Sequence, residues 1–322
     1  MSRPDICGLR YFFLILALLV ANINNSNAIL LPLGNQIPAI FSFGDSNSDT
    51  GSCSAAFARF PYPNGITFFG NSSKRVCDGR LIIDFIGGEF SCECIYAAEK
   101  LSLPYLSAYL DAVEANFKHG ANFAVSGTTI MPVNDELYGY GVTPLSLNIQ
   151  LLQFQQFKQR VTELYNRDEI LILLNRLPKP EDFSRALYTF DIGQNDLNVA
   201  GDQAYKSLPD LIDRFSLSIE QLHELGARNF LIFNTGPLGC LPHSLEMYPS
   251  KAKDEIGCLK SLNKMAQVFN QLLKAKISLL RTKLEDSSLV YADIYSAKYS
   301  LIRDAKLYAG PSLTFRGPVR DS

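Results

Sequence analysis

Short apolar segments alternate with longer amphipathic segments along most of this 322-residue chain. This alternation constrains the fold, because strands that are each followed by a helix build a parallel sheet covered by helices. Five apolar segments have the length of strands: 37–43, 122–125, 186–192, 228–234 and 288–294. We therefore predict an α/β fold, a three-layer α/β/α sandwich around a flavodoxin-like parallel sheet, in which ligands bind beyond the carboxyl ends of the strands.

Three of the longer segments carry apolar residues at helical spacing, which predicts amphipathic helices packed on the sheet. The stripes are Ile149, Leu152, Phe157, Val161 and Leu164; Leu208, Leu211, Phe215, Ile219 and Leu222; and Leu262, Met265, Phe269, Leu273, Ile277 and Leu280. Gly226 follows the second stripe and predicts the end of that helix, because glycine readily adopts the left-handed conformation of a helix C-cap. We expect all three stripes to lie in the core.

The N-terminal residues have the layout of a secretory signal peptide. Arg3 and Arg10 precede an apolar run, and small and polar residues follow it up to Ala28. The run is shorter than the ~18–20 residues that cross a bilayer, which disfavours the alternative of a membrane anchor. We therefore predict a signal peptide over 1–28 and a secreted, extracellular mature chain that has no integral membrane segment.

Secretion would place the cysteines in an oxidising environment. Cys240 and Cys258 bracket a loop rich in turn residues and are the first choice for a disulfide, which would stabilise the fold by ~3 kcal/mol. The pairing of Cys53, Cys77, Cys92 and Cys94 stays open. Asn71 begins an N-glycosylation sequon and is a candidate for modification.

Composition and charge exclude two classes of partner. The net charge is −2 with both signs dispersed, so the chain lacks the basic footprint of a nucleic-acid-binding protein. The histidines, which are His119, His223 and His243, show no metal-ligand spacing. We therefore predict no metal site and no cofactor. We also expect the protein to be a monomer.

One segment carries a candidate nucleophile. Residues 41–51 read F-S-F-G-D-S-N-S-D-T-G and follow the first predicted strand. A strand that ends at Gly44 presents the hydroxyl of Ser46 at the carboxyl edge of the sheet, where a neighbouring base can activate it. We expect Asp45 and Asp49 to fix this turn through Asx-type hydrogen bonds.

Two further motifs follow at the ends of other predicted strands. Residues 120–127 read G-A-N-F-A-V-S-G, and residues 191–196 read D-I-G-Q-N-D. Together with the first motif they resemble the conserved blocks of the GDSL (SGNH) esterases and lipases. Segments 63–70, 78–85, 103–106 and 234–242 extend the resemblance to the plant branch, nearest to its early-nodulin and fucosidase-like group.

The resemblance implies a hydrolase that cleaves a small-molecule, lipid or glycan ester through an acyl-enzyme. It implies that Ser46 is the nucleophile, and that the oxyanion hole is formed by the Ser46 N–H, the Gly127 N–H and the side-chain amide of Asn195. One oxyanion can bridge these groups only if the Ser46 hydroxyl and the Asn195 amide lie within ~8 Å of each other. We expect the hydrolase domain to span 29–305.

The chain departs from the family in two places. Residues 87–97 interrupt a predicted helix and look like an insertion, and the tail over 306–322 does not resemble the family. Nothing in the sequence matches the Asp-x-x-His block that carries the family's catalytic base, and His243 is the only plausible substitute. We therefore expect an inactive or impaired enzyme. The alternatives are a non-catalytic secreted lipid- or glycan-binding protein, or the product of aberrant splicing or a faulty gene prediction.

Overall fold

The computed structural model describes residues 37–70, 74–87, 103–113, 115–133, 141–167, 174–201 and 204–305. The predicted signal peptide, Asn71, the tail over 306–322 and all but the first residue of segment 87–97 lie outside these residues. None of the helices in the described ranges has both the length and the apolar character needed to cross a membrane.

Five parallel strands form one sheet in the order β2-β1-β3-β4-β5. The strands are β1 (Ile40–Gly44), β2 (Gly120–Asn122), β3 (Leu187–Asp191), β4 (Asn229–Phe233) and β5 (Ser288–Ala292). All five overlap the predicted segments. β2 ends earlier than predicted, but the N–H groups of Phe123 and Val125 still donate to carbonyls of β1 at 2.8 and 3.1 Å. The residues predicted as strand therefore do run beside β1, with a less regular pairing.

Helices connect the strands and cover the sheet. They are α1 (Ser52–Ala56), α2 (Ile66–Phe69), α3 (Ile82–Gly87), α4 (Leu147–Arg167), α5 (Asp182–Arg185), α6 (Gln194–Ala200), α7 (Ala204–Glu224), α8 (Pro242–Met247), α9 (Lys260–Lys283) and α10 (Ile294–Arg303). The end of α7 is as predicted. Gly226 has φ +94°, and its N–H donates to the carbonyl of His223 at 2.9 Å, while the Ala227 N–H reaches Leu222 at 2.9 Å. These two bonds close the helix in a Schellman motif.

The side chains of each strand alternate between the two faces of the sheet. On one face, Phe41 and Phe43 of β1 belong to a large core cluster that also contains the buried faces of α4, α7 and α9. On the other face, Ile40 and Leu187 pack with residues of α3, and Phe233 packs with residues of β5 and α10. These three layers confirm the predicted α/β/α sandwich.

The predicted stripe of α4 was partly wrong. Leu152 is 51% exposed, whereas Phe154, which was not part of the stripe, is completely buried. The ring of Phe154 contacts those of Phe41 and Tyr188, with centroids 5.1 and 5.6 Å apart. Phe157 and Val161 are buried as predicted, and the buried face also includes the polar residue Gln150.

Phe154 and Leu152 form a matched pair for testing this core. We expect Phe154→Ala to reduce the free energy of unfolding by ~3–5 kcal/mol, because it leaves a cavity between α4 and the sheet. Leu152→Ala on the same helix should change it by less than about 0.5 kcal/mol. Urea unfolding followed by circular dichroism measures both. Similar losses for the two variants would contradict this assignment of the buried face.

Candidate active site

The turn that carries Ser46 begins where β1 ends. Gly44, the last residue of β1, donates its N–H to Gln150 Oε1 at 3.0 Å and accepts from Gln150 Nε2 at 2.8 Å. Only glycine fits here, because φ is +150° and a Cβ would lie 2.2 Å from the carbonyl oxygen of Asp191. The Asp45 N–H donates to that same oxygen at 3.1 Å. The half-buried Ser46 therefore stands directly beyond the carboxyl edge of the sheet.

Aspartates fix the shape of this turn, as predicted. Asp45 Oδ1 accepts the N–H of Asn47 at 3.0 Å in an Asx turn. The carboxylate of Asp49 accepts the N–H groups of Gly51, Ser52 and Cys53 at 2.8, 2.6 and 3.0 Å. Asp49 also accepts the Ser126 N–H at 2.8 Å, a contact that the sequence did not reveal. It therefore ties the first motif to the second.

Gly127 lies at the end of the second motif with φ +84°. A Cβ at this position would lie 2.7 Å from the carbonyl oxygen of Gly141, so a side chain would strain both segments. Within the described ranges, neither the Gly127 N–H nor the Ser46 N–H has an acceptor. Two backbone donors are thus available at this edge of the sheet, and such donors stabilise an oxyanion in acyl transfer.

Asn195 lies in the first turn of α6, directly after β3. Thr128 is the residue that follows Gly127, and the Nδ2 of Asn195 donates to its carbonyl at 2.9 Å. An amide NH₂ has two hydrogens, so one donor remains after this bond. The adjacent Asp196 accepts the N–H groups of Ile130 and Met131 at 2.9 and 3.0 Å. The third motif is therefore bonded directly to the segment that carries Gly127.

Gln150 links the first motif to Thr128, the residue that follows the second motif. Besides its two bonds to Gly44, its Nε2 donates to Thr128 Oγ1 at 3.0 Å. Sequence reasoning missed this residue, which is fully buried on α4. A signal existed, since a polar residue between Leu147 and Phe154 on the buried face of an amphipathic helix needs an internal partner.

The three histidines lie in different parts of the fold. His119 Nδ1 lies 3.1 Å from the carbonyl of Pro38, which precedes β1, and His223 Nε2 lies 2.7 Å from Asp286, which precedes β5. Both therefore lie toward the amino ends of the strands, opposite the site. His243 is exposed on α8 and has no hydrogen-bonding partner in the part of the chain that the structure describes. Among the residues that the structure describes, no imidazole hydrogen-bonds the Ser46 hydroxyl.

Two carboxyl groups lie buried behind Ser46. Asp45 and Asp191 each have an Oδ2 without a hydrogen-bonding partner among the described residues. Burial, with the neighbouring charge of Asp191, raises the pKa of Asp45 to about 8. Burial also raises the pKa of Asp191 to about 6, and the charge of Lys298 opposes the increase at both groups. Burial therefore favours the protonated form of this pair, which limits the negative charge behind Ser46.

The pKa of Asp45 predicts a pH dependence of stability. The folded-state pKa is raised, so the folded chain binds this proton more tightly than the unfolded chain does. Its contribution to the free energy of unfolding is therefore complete below about pH 4 and is lost as the pH rises toward about 8. We expect Asp45→Asn, which cannot ionise, to flatten the decline in urea-unfolding free energy over this interval. The opposite slope in the unmodified chain, or an unchanged slope in the variant, would contradict this electrostatic assignment.

A cavity of about 290 Å³ opens beside Ser46. Its walls come from Ser46 and Asn47 in the turn after β1, from Lys298 on α10 and from the segment before and at the start of α3, namely Val76, Cys77, Arg80, Leu81 and Ile82. Arg80 and Lys298 bring two cationic groups to these walls, and neither was identified from the sequence as a site residue.

Residues 40–308 match the family described as GDSL-like Lipase/Acylhydrolase. The chain is 47% identical to the GDSL esterase/lipase At3g26430 of Arabidopsis thaliana over 88% of its own length and 72% of that protein. It is 45% identical to Alpha-L-fucosidase 3 of Arabidopsis thaliana, over 84% and 72% of the two chains. It is 43% identical to the GDSL esterase/lipase ENOD8 of Medicago truncatula, over 85% and 69%.

The family match covers all five strands and the three motifs at their carboxyl ends. The relatives reproduce the resemblance to plant esterases and lipases that the motifs indicated. The chain therefore belongs to the GDSL lipase/acylhydrolase family of hydrolases.

Proposed function

We propose that this protein is a carboxylic-ester hydrolase that uses Ser46 as its nucleophile. The hydrogen bond from Asn195 Nδ2 to the carbonyl of Thr128, at 2.9 Å, is the observation that carries the proposal. It brings the side-chain amide next to the segment of Gly127, whose N–H has no acceptor within the described ranges. Both groups belong to the bonded network that positions the turn of Ser46.

The proposed reaction is acyl transfer in two steps. The Oγ of Ser46 attacks the ester carbonyl carbon, and the carbonyl electron pair moves onto oxygen. The N–H groups of Ser46 and Gly127 and the amide of Asn195 donate to this oxyanion. Collapse of the intermediate expels the alcohol, and water then hydrolyses the acyl-enzyme. A base must accept the proton of Ser46 in the first step and that of water in the second.

We further propose that a polypeptide of these 322 residues hydrolyses esters slowly. Two of its histidines lie toward the amino ends of the strands, and His243 is exposed on α8 without an acidic partner in the described ranges. In a serine hydrolase, loss of the histidine lowers turnover by about 10⁶. A residual enhancement of about 10³ over water is expected from the oxyanion donors and from binding.

We propose that the mature protein is extracellular and that its substrate is a small-molecule, lipid or glycan ester. The N-terminal residues support secretion, because a positively charged start precedes a short apolar run. The disulfide between Cys240 and Cys258 suits an oxidising compartment.

The role of the base is tested with a chimaera. In this variant the residues after Ile302 are replaced by the matching segment of a plant relative that contains an Asp-x-x-His motif, and residues 87–97 are deleted. We expect the chimaera to hydrolyse a p-nitrophenyl ester about 10³-fold or more faster than the unmodified chain, because Ser46 then has its base. Ser46→Ala should abolish that gain and should scarcely change the unmodified chain.

Rapid turnover by the unmodified chain that Ser46→Ala removes would overturn the proposal of slow hydrolysis. It would instead point to His243, and His243→Ala would then have to silence the activity. A chimaera that is secreted and folded but gains no Ser46-dependent turnover would contradict the proposed role of Ser46.

The oxyanion hole is tested in the same chimaera. We expect Asn195→Ala to lower kcat by about 10²–10³, because one donor to the oxyanion is lost. Asn198→Ala is the matched control, since Asn198 is exposed on the same helix, and it should leave kcat unchanged. Initial rates with a p-nitrophenyl ester measure both variants. Equal rates for the two variants would remove Asn195 from the oxyanion hole.

A further inference from the structure

The cavity beside Ser46 combines an apolar wall with two cations. Val76, Leu81 and Ile82 supply the apolar part, and Arg80 and Lys298 supply the charges. Its volume of about 290 Å³ is at the lower end of the range for small-molecule sites. Its size favours a short substrate group over a long acyl chain.

The guanidinium of Arg80 stacks on two aromatic rings. It lies 4.3 Å from the ring centroid of Phe68 and 4.0 Å from that of Phe85. No acidic side chain pairs with it in the described parts of the chain. Arg75, five residues earlier, forms a buried ion pair with Asp84. The charge of Arg75 is therefore neutralised within the fold, whereas the charge of Arg80 at the cavity is oriented by the rings and has no acidic partner among the described residues.

Lys298 lines the cavity from a different element, α10. Its side chain passes Gly236, where a Cβ would lie 3.2 Å from Lys298 Cδ. The acidic groups that feel its charge are Asp45 and Asp191, and neither forms an ion pair with it among the described residues. Burial raises the pKa of both carboxyl groups and so disfavours their charged forms, which leaves less negative charge beside the two cations of the cavity.

We propose that this cavity selects short esters that carry a carboxylate, with Arg80 and Lys298 as specificity-determining residues. The proposal rests on the proposed role of Ser46, since that serine lines the same cavity. The planar fork of Arg80 matches the two oxygens of a carboxylate, and Lys298 supplies a second positive charge. The ester carbonyl is then directed toward Ser46, and the apolar wall covers the chain between the two groups.

Binding to the Ser46→Ala variant of the full chain tests this without requiring turnover. Monomethyl glutarate carries one carboxylate, and dimethyl glutarate is its uncharged match. Isothermal titration calorimetry should show about tenfold or greater preference for the monoester, because charge-assisted hydrogen bonds are gained. Arg80→Gln and Lys298→Met should each reduce that preference several-fold, while Lys264→Met, which removes an exposed charge on α9, should not.

Equal affinity for monoester and diester would overturn the inference, and so would a preference that survives both Arg80→Gln and Lys298→Met. The two cations lie on different elements, so a folding defect in one variant leaves the other as a test. The chimaera separates this inference from the proposed function. If the chimaera prefers the monoester but shows no Ser46-dependent turnover, the proposed function is wrong and the anion site stands. If it shows Ser46-dependent turnover but no preference for the monoester, the inference about Arg80 and Lys298 is wrong and the proposed function stands.

Discussion

The buried side-chain amide of Gln150 is the interaction on which the site depends. It donates to the carbonyl of Gly44 and accepts its N–H, and it also donates to the hydroxyl of Thr128. Gly44 ends β1, just before Ser46, and Thr128 accepts the amide of Asn195. One helix residue therefore connects the end of β1 to the residue that Asn195 also contacts. Its loss would leave buried polar groups of Gly44 unsatisfied, at a cost of ~1–3 kcal/mol each.

Four aspartates shape the rest of the site, two by accepting backbone hydrogen bonds and two as buried carboxyl groups. Asp49 and Asp196 accept backbone N–H groups and so connect loops that come from different strands. Asp45 and Asp191 are buried behind Ser46, each with one oxygen that has no partner in the described ranges. Keeping Asp45 protonated limits the negative charge near the place where an oxyanion would form. The electrostatics behind Ser46 therefore suit the proposed acyl transfer.

Sequence patterns predicted the sheet well because buried parallel strands are short apolar segments bounded by turns. They also predicted the Asx turn at Asp45 and the end of α7 at Gly226, since both depend on the conformational preferences of neighbouring residues. The buried face of α4 was predicted only in part, because the spacing of apolar residues does not reveal that the polar residue Gln150 is buried among them. The cavity was not predictable, since Arg80 and Lys298 meet only through the tertiary fold.

A crystal structure of the chimaera after reaction with a fluorophosphonate tests the central claim most directly, namely that Ser46, Gly127 and Asn195 converge on one oxyanion. The adduct mimics the tetrahedral intermediate. We predict a covalent bond from phosphorus to Ser46 Oγ, with the phosphoryl oxygen within about 3.2 Å of the backbone nitrogens of Ser46 and Gly127 and of Asn195 Nδ2. An adduct on another residue, or a phosphoryl oxygen that contacts neither Gly127 nor Asn195, would contradict the account.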